Sequence, residues 1–135
     1  MDPVDQQILR LLEENSRIAN NEIAQVIGVS EGTVRNRISR LLEEGTIRRF
    51  TVQLRDRISA LCFIKLSTRI RTAEFADVLK KMNPAISNIC HITGDFSVSC
   101  NLDTRTIEES DDIIECIRDI PGVLKTQTIT ILKKY

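Results

Sequence analysis

The sequence predicts an α+β protein in two parts, three short helices followed by a β-α-β-β-α-β unit. Aliphatic residues recur at helical spacing over the first 45 residues, and from residue 58 short apolar strand runs alternate with two further amphipathic stretches. A chain of 135 residues that is 41% hydrophobic and 28% charged is long enough for one ordinary domain or two small ones. We assign residues 1–47 to a first domain, 48–57 to a strand and hinge, and 58–135 to a second domain.

The first helix has a recognisable start. Asp2 can cap a helix, and Pro3 suits the first helical position because its missing N–H would have no partner there. Aliphatic residues from Ile8 onward then repeat at helical spacing to about residue 15. A second helix is predicted over about Asn20–Ile27, and Gly28 follows it as a tight turn.

A third helix is predicted from Ser30 to Glu44, with Gly45 as its stop. Its first three turns hold three arginines and an asparagine but no lysine, all outside the apolar stripe. Two short helices joined by a glycine turn, the second polar and arginine-rich on its outer face, are typical of a helix-turn-helix. The predicted buried stripe consists of Val34, Ile38, Leu41 and Leu42.

The outer face of the third helix carries groups that read DNA. Guanidinium groups pair with guanine edges and phosphates, and the Asn amide pairs with adenine. A glycine at the helix start lets the backbone approach DNA, and the helix N-terminus favours a phosphate. A salt bridge within the domain stays open for Arg37, and a solvated position for Arg48 and Arg49. We predict base contacts from Glu31, Gly32, Arg35 and Asn36, and further DNA contacts from Ser30, Thr33, Arg37, Arg40, Arg48 and Arg49.

The segment after Gly45 predicts a strand over Thr46–Leu54 with basic residues at its start. Such a strand can serve as a wing against the DNA backbone, as a connector, or as both. The charged run Arg55–Arg57 is the predicted hinge into the second part.

The second part predicts a ferredoxin-like sandwich of four antiparallel strands with both helices on one face. A Gly94-Asp95 turn joins the two middle strands, and Thr106 with Glu109 forms a capping box before the second helix. The predicted strands cover about 59–68, 86–93, 96–102 and 125–132. The two helices begin at Thr72 and Thr106, and their predicted apolar faces hold Phe75, Val78, Leu79, Met82, Ile107, Ile113, Ile114, Ile117 and Ile120.

The first strand of this sandwich is apolar on both of its faces, with Ala60, Cys62, Ile64 and Leu66 on one and Leu61 and Phe63 on the other. Since both helices lie on one side of the sheet, the other side needs a cover. An economical cover for that side is a second copy of the chain, packed sheet to sheet as a two-fold dimer. Such a dimer presents two helix-turn-helix units to a palindromic site.

Charge and composition limit the remaining functions. The net charge is 0, but residues 35–57 hold seven arginines against three acidic residues, the field pattern of a protein that meets a polyanion with one end. No apolar run approaches the roughly 20 residues of a membrane span, and no secretory signal is recognised at Met1, so we expect a cytoplasmic protein that does not enter membranes.

Cysteine and histidine usage gives no support to a metal site or an enzyme. The four cysteines (Cys62, Cys90, Cys100 and Cys116) form no C-x-x-C pair and are predicted to be reduced core residues. His91 is the single histidine and is predicted to be half-buried in a strand. With one histidine and no glycine-rich loop, we predict no catalytic residue, no metal and no cofactor.

Several short motifs in the observed order and spacing resemble the Lrp/AsnC, or feast/famine, family over essentially the whole chain. They are Asp2-x-x-Asp5-x-x-Ile8-Leu9, Asn15-x-Arg17-Ile18, Glu22-Ile23-Ala24 with Gly28-Val29-Ser30, Val34-x-x-Arg37-Ile38-x-x-Leu41-x-x-x-Gly45-x-Ile47, Thr93-Gly94-Asp95-Phe96 and Ile120-Pro121-Gly122-Val123.

The resemblance implies an N-terminal winged-helix-like DNA-binding domain, a C-terminal regulatory (RAM) domain and a role in transcription regulation. It also implies dimers that assemble further to tetramers or octamers, and an amino-acid effector bound near Gly94, Asp95, Phe96 and Ser97. A simple hairpin turn is the alternative for that loop. Two other functions stay open: a siroheme-decarboxylase-like enzyme on the same scaffold, and a small-molecule sensor that does not bind DNA.

Overall fold

The computed structural model describes residues 1–135, which form two compact units, Met1–Gln53 and Leu54–Tyr135. The first unit holds three helices, and the second holds a four-stranded sheet with two helices. Each unit has its own hydrophobic core.

The first unit consists of α1 (Pro3–Glu14), α2 (Asn20–Ile27) and α3 (Glu31–Glu43). The Asp2 carboxylate caps α1 by accepting the Val4 N–H at 2.7 Å, and Gly28 ends α2 in the left-handed region at φ +75°. The Ser30 hydroxyl caps α3 by accepting the Thr33 N–H at 3.1 Å. The core that joins the three helices is small and consists of Ile8, Leu12, Ile23, Ala24 and Val34.

The second unit has the predicted order, with β1 (Ile58–Leu66), α4 (Thr72–Met82), β2 (Ile86–His91), β3 (Val98–Thr104), α5 (Ile107–Arg118) and β4 (Val123–Thr130). The strands lie in the order β2-β3-β1-β4 and all pairs are antiparallel. β3 begins at Val98, two residues after the predicted start, because residues 92–97 form the connection between β2 and β3.

The core of the second unit lies between the helices and one face of the sheet. Even-numbered residues of β1 from Ala60 to Leu66 point into it and meet Phe75 and Leu79 of α4 and Ile113 and Ile117 of α5. Gly122 follows α5 at φ +94°, and a Cβ there would lie 2.4 Å from a side-chain carbon of Ile70. That position therefore requires glycine both for its backbone and for space.

The predicted strand over Thr46–Leu54 is wrong: these residues lie in no strand. Phe50, Val52 and Leu54 have side chains that favour strands, but they are 48%, 78% and 57% exposed. Strand propensity is expressed only where a neighbouring strand accepts the hydrogen bonds and the side chains pack. The chain supplies this segment with no partner strand.

Three residues assigned to apolar faces lie at the margin of their stripes and are exposed. Leu42 is 39%, Val78 is 46% and Ile107 is 58% exposed. Helical spacing identifies the side of a helix that faces the core, but the width of the covered stripe depends on the neighbouring element.

The cysteines divide into two kinds, which corrects the prediction that all four are core residues. Cys62 and Cys100 are buried and stand directly opposite each other in the β1–β3 register, whereas Cys90 and Cys116 are exposed. Hydrogen bonding with the Cys100 thiol lowers the pKa of Cys62, and the same hydrogen bonding together with burial raises the pKa of Cys100. His91 is exposed at the end of an edge strand rather than half-buried.

Candidate nucleic-acid interface

The turn between α2 and α3 orients the first turn of α3. Two features define this turn, the left-handed Gly28 and the Ser30 cap, whose hydroxyl also lies 2.8 Å from the Thr33 hydroxyl. Val34 and Leu41 lie on the buried inner side of α3 and are 0% and 2% exposed. The first turn of α3 thus begins with unpaired backbone N–H groups and an outer face free for contact.

The outer side of α3 exposes Arg35 and Asn36. The Arg35 side chain is 64% exposed and makes a 3.3 Å ion pair with Glu31 one turn earlier. Such a surface pair is worth little and leaves the guanidinium free to exchange partners. Asn36 has no side-chain hydrogen bond within the chain. These two side chains are the groups on α3 that are most available to base edges.

Arg37 and Arg40 are turned toward their own domain. Arg37 Nη1 donates to Asp2 at 2.8 Å and to Asp5 at 3.1 Å, and Arg40 Nη2 donates to the other oxygen of Asp5. Arg40 Nε also lies 3.6 Å from Glu44. The salt bridge that stayed open for Arg37 is therefore present, and Arg40 has one as well.

These contacts shift the pKa values of Asp2 and Arg37. The hydrogen bond from Arg37 is the main reason why the pKa of Asp2 lies below its ordinary value, and the capped Val4 N–H adds to the effect. The two carboxylates conversely raise the pKa of Arg37.

A shallow depression of about 320 Å³ on this side of α3 is lined by Thr33, Asn36, Arg37 and Arg40.

The segment after α3 carries the two remaining basic candidates. Arg48 and Arg49 are exposed and make no ion pair within the chain. They line a depression between this segment and α1.

Gly32 lies in the first turn of α3, where a Cβ would meet only the Arg35 guanidinium, at 3.8 Å.

The predicted ligand loop connects β2 to β3. Gly94 has φ +115° and Asp95 is exposed. The Phe96 ring lies 5.8 Å from the Phe63 ring, and Lys125 Nζ lies 5.9 Å from the Phe96 centroid. Ser97 is held by β1: its N–H donates to Ile64 O at 2.9 Å, and its hydroxyl accepts the Leu66 N–H at 3.3 Å. Asp95 is thus the free charged side chain of the loop, whereas Ser97 anchors it.

Sequence reasoning named neither Asp2 nor Asp5 as partners of the arginines. Asp5 is only 3% exposed and shares the buried side of α1 with Ile8 and Leu12. An acidic residue in helical register with an apolar stripe is the sequence signal that could have indicated a buried ion pair.

Two protein-family models match the chain. Residues 1–48 match a family model described as winged helix-turn-helix DNA-binding. Residues 59–135 match one described as the Lrp/AsnC ligand binding domain. The chain belongs to the Lrp/AsnC family of helix-turn-helix transcriptional regulators.

Individual transcriptional regulators resemble this chain over its whole length. The transcriptional regulator LysM of Saccharolobus solfataricus is 31% identical over 100% of this chain and 96% of its own. The regulator FL11 of Pyrococcus furiosus is 28% identical over 100% of this chain and 91% of its own. The structure of the regulator NMB0573 of Neisseria meningitidis in complex with L-Met has a TM-score of 0.78 at 21% identity and covers 99% of this chain and 91% of that one.

The Lrp/AsnC assignment bears on the alternatives. The two family models and the relatives named here support a transcriptional regulator and give no support to the decarboxylase-like enzyme. No group of three His, Cys, Asp or Glu residues is arranged to hold a metal ion. None of the helices combines the length and apolar character that crossing a bilayer requires.

Proposed function

We propose that the protein reads a palindromic site in duplex DNA as a symmetric dimer, with α3 of each copy in the major groove. The observation that carries this proposal is the capped α3 with Arg35 and Asn36 exposed on its outer side. Arg and Asn are the side chains that make bidentate contacts to guanine and adenine edges. Glu31 and Gly32, in the first turn, complete the base-reading surface.

Phosphate contacts fall to groups around this surface. Ser30 and Thr33 lie at the N-terminus of α3, where hydroxyls and backbone N–H groups suit a phosphate. Arg48 and Arg49 are free of carboxylate partners and extend the basic surface beyond α3. Arg37 and Arg40 make no phosphate contact in this proposal while Asp5 holds them.

The dimer rests on the face of the sheet that carries no helix. Leu61 and Ile129 are cross-strand neighbours on that face and are 36% and 46% exposed, with Phe63 two residues along β1. A contiguous apolar patch on a sheet face is a site of association, and packing against the same face of a second copy gives a closed two-fold assembly. The prediction is a dimer, or a multiple of one, in sedimentation equilibrium, and Leu61→Asp should shift it toward monomer.

Selection of bound sites from random duplex DNA tests the reading of DNA directly. A palindromic consensus is expected, with half-sites about one helical turn apart. Asn36→Ala should relax the preference at a single base-pair position in each half-site, at a cost of roughly 1–3 kcal/mol there. Gln7→Ala, an exposed position of α1, is the matched control and should leave the consensus unchanged. Selection that yields no consensus with wild-type protein would contradict the proposal.

We propose further that a small amino acid binds at the β2–β3 loop, with Asp95 as the partner of its ammonium group. Asp95 is exposed and Gly94 keeps the adjacent backbone open. The L-Met complex of the structurally similar NMB0573 protein supports this ligand class. A thermal-shift panel of the twenty amino acids should give a rise in Tm for one or a few of them.

The loop variant Asp95→Asn should abolish that rise while leaving the Tm without ligand unchanged, because the exposed Asp95 side chain makes no hydrogen bond or ion pair within the chain. Asp77→Asn, an exposed carboxylate on α4, is the control that keeps the response. A response that persists in Asp95→Asn places the ammonium partner elsewhere.

A further inference from the structure

Asp5 is the one charged residue of the chain that is buried, and its carboxylate has two charged partners. One oxygen accepts from Arg37 at 3.1 Å and the other accepts from Arg40. The Asp5 side chain is 4% exposed, whereas those of Arg37 and Arg40 are 26% and 46% exposed. A single acid on α1 thus holds two arginines that are one turn apart on α3.

This arrangement sets both the geometry and the charge of α3. The ion pairs connect α1 to α3 at one end of a core of only five buried apolar residues. They also neutralise part of the basic surface that the sequence offers to DNA, because guanidinium groups bound to carboxylates release no phosphate counterions. The groups that remain free on α3 are those with base-reading chemistry.

We infer that Asp5 is a specificity-determining positioning residue, which holds Arg37 and Arg40 away from phosphates so that α3 binds DNA through base contacts. The inference rests on the proposed reading of DNA by α3. Asp5 touches no DNA and acts through the two arginines. Without the Asp5 charge, Arg37 keeps only the exposed Asp2 and Arg40 only the exposed Glu44 as partners. Such surface ion pairs are weak, so both guanidiniums can exchange them for phosphates of any duplex, whatever its sequence.

The testing variant is Asp5→Asn, which keeps the size of the side chain and removes its charge. Binding to a non-specific duplex should strengthen, and the slope of log K against log salt should steepen by up to about 1.8, since each phosphate contact contributes about 0.9. The ratio of specific to non-specific affinity should fall by about tenfold or more. The triple variant Asp5→Asn/Arg37→Gln/Arg40→Gln should return the slope to the wild-type value.

Two controls separate this effect from simpler ones. Glu22→Gln makes the same change in net charge at an exposed residue of α2 that has no ion pair, and it should leave the slope unchanged. Asp5→Glu retains the charge and should keep the wild-type slope even where it lowers the Tm. A purely structural role predicts instead that Asp5→Asn loses affinity for all duplexes with the slope unaltered, and that result overturns the inference.

Retention on a heparin column distinguishes failure of the inference from failure of the proposed function. Heparin reports free cationic groups without any need for a DNA site, and Asp5→Asn should elute at higher salt than both wild type and Glu22→Gln. Wild-type protein that binds no duplex at low salt would reject the proposed function alone. Equal elution of Asp5→Asn and Glu22→Gln would reject the positioning role of Asp5, whether or not the protein binds duplex DNA.

Discussion

Helices α3 and α5 differ in outer surface more than in construction. They have 13 and 12 residues, and each is capped by a hydroxyl that accepts the N–H three residues on, from Thr33 and from Glu109. Each buries an aliphatic stripe, Val34 and Leu41 in α3 and Ile113, Ile114 and Ile117 in α5. The inner face of each helix determines only where it packs.

The outer faces carry opposite charges. The outer side of α3 exposes Arg35 and Asn36, whereas α5 exposes five acidic residues, Glu108, Glu109, Asp111, Asp112 and Glu115. An acidic helix repels the phosphate backbone, so α5 is excluded as a DNA-reading element by the same physics that favours α3. The solvent-facing side of each helix, and not the buried side that packs against the core, thus distinguishes the two helices in function.

The largest expected change in the free energy of unfolding comes from a substitution on the buried face of α5. Ile117 is 0% exposed, and Ile117→Ala should lower the free energy of unfolding by about 3 kcal/mol, because it removes buried methyl groups and leaves a cavity. Ile107→Ala, ten residues earlier and 58% exposed, should change it by less than about 0.5 kcal/mol. Urea unfolding followed by circular dichroism measures both, and equal losses would contradict the assigned core face.

The caps offer a matched comparison of intermediate size. Ser30→Ala and Thr106→Ala each remove one hydroxyl from a helix N-terminus and should each cost about 1 kcal/mol of stability. DNA affinity should fall only in Ser30→Ala, because in the proposed complex only α3 presents its first turn to DNA. A comparable loss of affinity in Thr106→Ala would remove the functional distinction between the two helices.

The smallest effect concerns pH. Hydrogen bonding from Arg37 lowers the pKa of Asp2 below its ordinary value of 3.8, so the folded chain binds fewer protons than the unfolded chain in that range. The stabilisation is present above pH 3.8 and disappears as the pH falls through the lowered pKa. Wild type should therefore melt higher than Asp2→Asn at pH 5, and the two Tm values should converge at strongly acidic pH. A Tm difference that does not change with pH would show that this ion pair does not contribute.

Local patterns predicted most of the fold. The α1 start at Asp2 and Pro3, the α2 end at Gly28 and the α5 cap at Thr106 are set by residues within one turn, and the structure confirms each of them. The strand at Thr46–Leu54 could not be judged in this way, since a strand forms only where another strand pairs with it.

The candidate site was predicted in part. Arg35 and Asn36 lie on the exposed side of α3 as the periodicity indicated. The orientation of Arg37 and Arg40 depends on Asp5, which lies 32 and 35 residues away, so that helical spacing within α3 carries no information about it. Long-range ion pairs are a property of packing, and they decide which members of a basic face remain available.

The exposed thiols of Cys90 and Cys116 are two positions at which the wild-type chain can be labelled. Cys90 is paired with Ser99, whose partner on β1 is Phe63, so it lies on the helix-free face of the sheet, whereas Cys116 lies on α5. Maleimide chemistry should modify both in monomer and leave the buried Cys62 and Cys100 unmodified until the chain unfolds. If the chain associates through the helix-free face, the modification rate of Cys90 should fall as the protein concentration rises, while that of Cys116 stays constant. The wild-type chain therefore reports its own self-association without an introduced label site.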